Sequence, residues 1–280
     1  MTDSLRDVLS ISRVDEAHGE EASSVERFTV SPPGDGFLFA GLSMALGITA
    51  AQATVEGDLV PKSLHSIFVR PGRWGPELDV NVIRENDSRN FAVRRVLVKQ
   101  NGRTLAEQMV LLHRPEKGND GPASPAPDLP DPSQLPVAAH GLPWDVIELR
   151  PVQPHGTETW ELMHPYWARF GKVTVEPTLR APAVAFVTDY GMTYTPFPRG
   201  STGGRKYLSQ TLSHTIWFHR QWGTEWLLLS ARLRSTNGGR YLSEGEAHDE
   251  DGFLVASFMQ EGLLSSEPSR PWPGTDTSAQ

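Results

Sequence analysis

Two histidines sit in near-repeats of one another. Ser63-Leu-His-Ser-Ile-Phe-Val-Arg70 and Thr211-Leu-Ser-His-Thr-Ile-Trp-Phe-His-Arg220 each pass from a His (His65, His214) through a small hydroxyl residue and an aromatic-rich run to Arg. Imidazole is the natural acid–base group near neutral pH. In a strand, however, a His also serves by bonding a neighbouring backbone group, and equivalent placement in both halves favours that structural role, as it does for His219. Other chemistries drop out. With 0 Cys there is no thiolate nucleophile, disulfide or Cys–metal site. The 9 His form no H-E-x-x-H or His-x-His pair, so neither a metal site nor a cofactor is expected. The absence of a Gly-x-Ser-x-Gly elbow disfavours a Ser-His-Asp hydrolase. A net charge of −8 with no Lys/Arg block argues against a nucleic-acid partner. Arg199, Arg205, Lys206 and Arg240 are cations that could meet phosphate groups, although a solvated surface is their ordinary role.

The elements that position these residues fit one large domain or two of ordinary size in 280 residues. Hydrophobic residues make up 38% of the chain, as in a soluble globular protein. No apolar run approaches the roughly 18 residues of a membrane helix. The opening Met1-Thr-Asp-Ser-Leu-Arg lacks the order of a signal peptide, and with the missing Cys this fits a cytoplasmic protein.

Residues 1–25 are polar and acidic and read as a flexible start before a strand over Glu26–Val30. The Ala-rich apolar run from Phe37 to about Thr54 is too long for a strand and reads as a buried helix. Strands follow at Lys62–Arg70, Glu77–Arg84, Phe91–Gln100 and Thr104–His113. Asn101-Gly102 closes the last pair, because a two-residue hairpin needs φ > 0 at both positions. Strand, long helix and four strands make residues 26–114 an α+β unit, a sheet wrapped around a helix, known as the hotdog. Residues 115–141 are a Pro/Gly-rich linker without regular structure.

The order then repeats over residues 142–265. Strand-like material at Asp145–Arg150 and Thr159–Phe170 precedes a second small-residue helix, Arg180–Asp189, with Pro182 in its first turn. Strands follow at Thr211–Arg220, Trp226–Leu233, Gly239–His248 and Phe253–Leu264, with Asp251-Gly252 as the hairpin turn. The fold expected is a tandem double hotdog, two antiparallel sheets each around a central helix, with residues 266–280 a disordered tail. Trp217, Phe218 and Trp226 read as core.

Five motifs in this order carry a family resemblance. Thr211–Arg220 resembles the second-repeat strand of the acyl-CoA thioesterase II family. Val255-Ala-Ser-Phe-Met-Gln-Glu-Gly262 resembles its last strand, and Phe186-Val-Thr-Asp189 the end of its second helix. His65-Ser-Ile-Phe-Val-Arg-Pro-Gly72 and Asn90-Phe-Ala-Val-Arg-Arg95 are similar to its first-repeat motifs. The resemblance covers roughly residues 25–265. Two positions depart from it. Ser213 stands where the family often has Asp, and Ala40-Gly41-Leu42 where its first helix usually opens Gly-Gly-Gln. An insertion around Pro196–Arg205 also differs. These bear on substrate choice more than on chemistry.

The resemblance implies hydrolysis of acyl-CoA to free acid and CoA by a water held and polarised by Asp189, Thr211 and Gln260. Such a reaction needs a base for the water's proton, groups that aim its lone pair, and donors for the oxyanion. Asp189 fits the first role, Thr211 and Gln260 the second. Backbone N–H groups near Gly41, at a helix start, are candidates for the third. By residue type alone the three are an ordinary helix-end carboxylate, strand Thr and strand Gln. Gly41, His65, Ala185 and Arg240 complete the expected substrate-binding set, with Ala183 and Ala185 leaving room for the acyl chain between helix and sheet. The rival expectation is a non-catalytic double hotdog that binds acyl-CoA or an acyl carrier. A hydratase on this fold would need an Asp and His paired on one loop, which the sequence lacks. Edge strands that pair further make a homodimer or homotetramer the expected assembly.

Overall fold

The computed structural model describes residues 5–14, 25–32, 34, 36–118, 121, 123–138, 142, 146–152, 164–170, 176–196 and 208–265. Two apolar helices and one long sheet account for most of them. Helix α1 is a single turn, Leu5–Val8, followed by strands β1 (Ser12–Arg13) and β2 (Val25–Val30). Helix α2 (Ala40–Gln52) has apolar or small residues on every side and is buried nearly all round, from Gly41 to Ala51. Strands β3 (Val60–Phe68), β4 (Leu78–Asp87), β5 (Phe91–Gln100) and β6 (Arg103–His113) complete the first half. The second half has β7 (Glu148–Pro151), β8 (Tyr166–Arg169), helix α3 (Pro177–Thr188), β9 (Leu208–Phe218), β10 (Trp226–Asn237), β11 (Arg240–Asp249) and β12 (Leu254–Ser265).

The strand order is β1-β2-β4-β5-β6-β3-β9-β12-β11-β10-β8-β7, and every pairing is antiparallel. Read from the centre outward, the two halves mirror one another: β3, β6, β5, β4, β2 against β9, β12, β11, β10, β8. The expected two sheets are therefore one, fused where Ser63–Ile67 of β3 pair with Ser213–Trp217 of β9. Both helices lie on the same side and pack on each other, Phe39 meeting Phe186 edge-on at 5.2 Å. The expected hairpin is present, with Asn101 at φ 50° and Gly102 at φ 72°.

Four further expectations need correction. The described part of the start, residues 5–14, is packed rather than loose: Leu5, Val8 and Leu9 are buried, and Arg6 pairs with Glu176 at 2.6 Å just before α3. Helix α3 opens at Pro177, where the fixed φ of proline is already helical, so Pro182 lies in the helix interior rather than its first turn. The linker is fastened down where it is described. It forms a 3-10 turn at Pro132–Gln134, and Leu129 and Leu135 cover Trp167, Trp226 and Leu228 on the outer face of the sheet. The carbonyl of Pro130 accepts from Trp167 Nε1 at 3.1 Å. Trp217 also lies on that outer face, 37% exposed, and is not core. Residues 153–163, 197–207 and 266–280, which carry parts of the expected strand at Thr159, the insertion, Arg199, Arg205, Lys206 and the tail, lie outside the described residues.

Candidate active site

Asp189 is the first residue past α3, in the C-cap position. Its carboxylate points at the start of α2. Oδ2 accepts the backbone N–H of Gly41 and Oδ1 accepts the hydroxyl of Thr211, both at 3.1 Å. A carboxylate at a helix C-terminus is unfavourable, but at the N-terminus of a second helix it meets orphan N–H groups and a favourable dipole. Only 4% of Asp189 is exposed. Burial raises its pKa to about 6, against the opposing pull of the Thr211 and Gly41 bonds. The helices can meet this closely because residue 41 is glycine: a Cβ there would lie 2.3 Å from the carbonyl oxygen of Phe186.

Thr211 and His214 face the same side of the sheet although three residues apart. On a regular strand such residues point to opposite faces. Here Ser213 pairs with Glu261 and Thr211 with Gly262, so Leu212 is an extra residue on β9. That bulge turns Thr211 back toward the helices.

Gln260, fully buried on β12, faces His214 across β9 and Ser243 across β11. Its Oε1 is 2.9 Å from His214 Nδ1, and its Nε2 donates to the Tyr241 hydroxyl at 2.9 Å. His214 Nδ1 in turn lies 4.0 Å from Asp189 Oδ1. Burial pushes the His214 pKa down to about 4 and that of Tyr241 up to about 12, so both are neutral near pH 7. The Tyr241 ring is set against Gly262, where a Cβ would come within 2.1 Å of it. Thr195, from the turn after α3, shares a 2.6 Å hydrogen bond with Ser243.

Two hydrogen-bonded groups thus meet in one cluster at the end of α3: Gly41, Asp189 and Thr211 form one, and His214, Gln260 and Tyr241 the other, with 4.0 Å between Asp189 Oδ1 and His214 Nδ1. The other expected binding residues do not join it. His65 is not the counterpart of His214. Cross-strand partners give that place to Ser66, which faces Gln108 as His214 faces Gln260. His65 lies one residue away, so it points to the outer face, beside Thr215 at 3.3 Å and Trp217. His214 bonds the side chain of Gln260 rather than a backbone group. The Gly41 N–H is committed to Asp189 and is not a free oxyanion donor. Ala183 and Ala185 are fully buried members of the main hydrophobic core. Arg240 is exposed, its guanidinium donating to the Gly239 carbonyl at 3.0 Å. Tyr241 and Ser243 were not singled out from the sequence. Counting outward from the Asp251-Gly252 turn on both strands leads to them.

Comparison with known proteins gives the cluster its context. Residues 30–113 match the family described as acyl-CoA thioesterase N-terminal domain, and residues 120–264 match the acyl-CoA thioesterase C-terminal domain. The chain belongs to the acyl-CoA thioesterase family. As a member of the acyl-CoA thioesterase II group it is a thioester hydrolase with a double-hotdog fold. It is 27% identical over 254 residues to acyl-CoA thioesterase 2 of Haemophilus influenzae, covering 81% of this chain and 87% of that one. It is 24% identical to human acyl-coenzyme A thioesterase 8, with 82% and 81% covered. The tesB protein of Mycobacterium avium subsp. paratuberculosis superposes with a TM-score of 0.74 at 25% identity, over 92% of this chain and 97% of that one. An acyl-CoA thioesterase II from Mycobacterium marinum gives 0.73 at 22% identity, over 95% and 98%. Among the described residues no helix is long and apolar enough to cross a membrane, and no His/Asp/Glu group is arranged to hold a metal ion.

Proposed function

We propose that this thioester hydrolase cleaves acyl-CoA to a free acid and CoA, with Asp189 as general base and Thr211 and Gln260 as the groups that hold the attacking water. The observation that carries this reading is the convergence of all three on one buried cluster, with Asp189 raised to a pKa of about 6. A base with that pKa is ionised at neutral pH yet basic enough to take a proton from water. The water oxygen attacks the thioester carbonyl carbon as its proton passes to Asp189. Gln260 holds that water with its second amide hydrogen, the first being given to Tyr241. Collapse breaks the C–S bond, and the leaving thiolate receives the proton from Asp189. No covalent acyl-enzyme is needed.

The test is thiol release from acyl-CoA esters of graded chain length, followed with a chromogenic thiol reagent. The chain contributes no background because it has 0 Cys. Chain-length-dependent release that falls at least about 100-fold in Asp189→Ala supports the reading. An unchanged rate in that variant refutes the role of Asp189. Saturable binding without release refutes hydrolysis of CoA esters in favour of acyl-CoA binding.

A further inference from the structure

A row of inward-facing polar residues crosses the middle of the sheet. In register across β6, β3, β9, β12 and β11 stand Gln108, Ser66, His214, Gln260 and Ser243. All are between 0% and 2% exposed. Among the described residues Ser66 Oγ, Gln108 Oε1 and His214 Nε2 have no hydrogen-bond partner. Buried polar atoms are rarely left so. Ser66 stands opposite His214 on the neighbouring strand β3, on the side of β9 away from Gln260.

The amide of Gln260 has two self-consistent settings here. With a proton on His214 Nδ1, the imidazole donates to Oε1, and the amide nitrogen donates to Tyr241. With the proton on Nε2, the amide would turn over, donating to Nδ1 and accepting from Tyr241. Asp189 decides between them. Its Oδ1 is 4.0 Å from Nδ1, so a hydrogen on Nδ1 is attracted and a lone pair there repelled.

We propose that His214 is a positioning residue: ionised Asp189 holds its proton on Nδ1, and that N–H fixes Gln260 with one amide hydrogen free for the reaction. This rests on the hydrolytic role given to Gln260 above. His214 passes no proton to substrate. It makes the orientation of Gln260 follow the charge of Asp189, so the donor is in place when the base is ready.

The tautomer is read directly by two-bond 1H–15N correlation on the full chain labelled with 15N-histidine, His214 being assigned by its loss in His214→Asn. The expected result at pH 7.5 is the Nδ1–H form in the wild type and a shift toward Nε2–H in Asp189→Asn. His214→Asn keeps a donor at the Nδ1 position and should hold kcat within about threefold, whereas His214→Phe should lower it about 100-fold with KM little changed. A wild-type Nε2–H tautomer, or equal losses in the Asn and Phe variants, would overturn the proposal. The two failures are distinct. A wild type that releases no thiol refutes the hydrolase reading, whereas an Nε2–H tautomer in an active enzyme refutes only the role of His214.

Discussion

Arg94 of β5 and Tyr241 of β11 occupy the same place in the two halves. Arg94 lies opposite Val110, two residues from the Val96–Gln108 pair, and Tyr241 lies opposite Gly262, two residues from the Ser243–Gln260 pair. Both side chains are buried beneath the end of a helix. Below α3 the space holds the Asp189 cluster. Below α2 it holds a guanidinium bonded to Thr54 Oγ1 at 2.7 Å, Asp87 Oδ1 at 2.6 Å and the carbonyls of Thr54, Asn86 and Val93. The helix ends in Ala53 there, so the first half has a fastening where the second has a site.

Arg94→Leu should therefore cost stability without touching catalysis. The variant takes the guanidinium away from Thr54 at the α2 end and from the carbonyls of Asn86 and Val93, a loss of about 2–4 kcal/mol. Denaturant midpoints should fall while kcat and KM of the folded enzyme stay as in the wild type. A kcat loss in folded protein would place Arg94 in the reaction.

The raised pKa of Asp189 fixes two pH dependences. In the general-base role proposed for it Asp189 works ionised, so kcat/KM should rise about tenfold per pH unit below about 6 and level off above it. For stability the sign is the reverse. The folded pKa lies above the ordinary 3.8, so the fold prefers the neutral acid. Ionisation costs nothing below about pH 4, and the cost grows between 4 and 6 and is complete above 6. Asp189→Asn, which removes that charge, should stabilise the protein by about 1–3 kcal/mol at pH 8 and by little at pH 4, while abolishing most activity. Chemical denaturation at both pH values checks it.

Gly41→Ala tests how closely the two helices must approach. The added methyl group meets the Phe186 carbonyl at 2.3 Å, backbone that cannot swing aside. Separating the helices should cost about 1–3 kcal/mol and lengthen the Gly41–Asp189 bond. With Asp189 in its proposed role as base, kcat should fall about tenfold or more for a 1 Å displacement. Unaltered kcat in the variant would show that the base tolerates the shift.

What the sequence disclosed depended on whether a signal was local. The Asn101-Gly102 turn, strand β5 and the all-apolar α2 were legible because conformation there follows from a few adjacent residues. The resemblance led to Asp189, Thr211 and Gln260, which do come together. The echo of His65 and His214 misled, because a motif on one strand carries no information on register. The partners Gln108 and Gln260 settle the register and substitute Ser66. The bulge at Leu212 was invisible for the same reason, since it exists only relative to β12. Tyr241 went unnoticed because its importance comes from Gly262 and Gln260 on the next strand.

The bond from Gly41 to Asp189 crosses from one half of the chain to the other. Neither half contains the whole cluster. A chain severed in the linker would give two inactive fragments, and activity recovered on mixing would report their reassociation along β3 and β9. In that sense the enzyme is a heterodimer written as a single polypeptide.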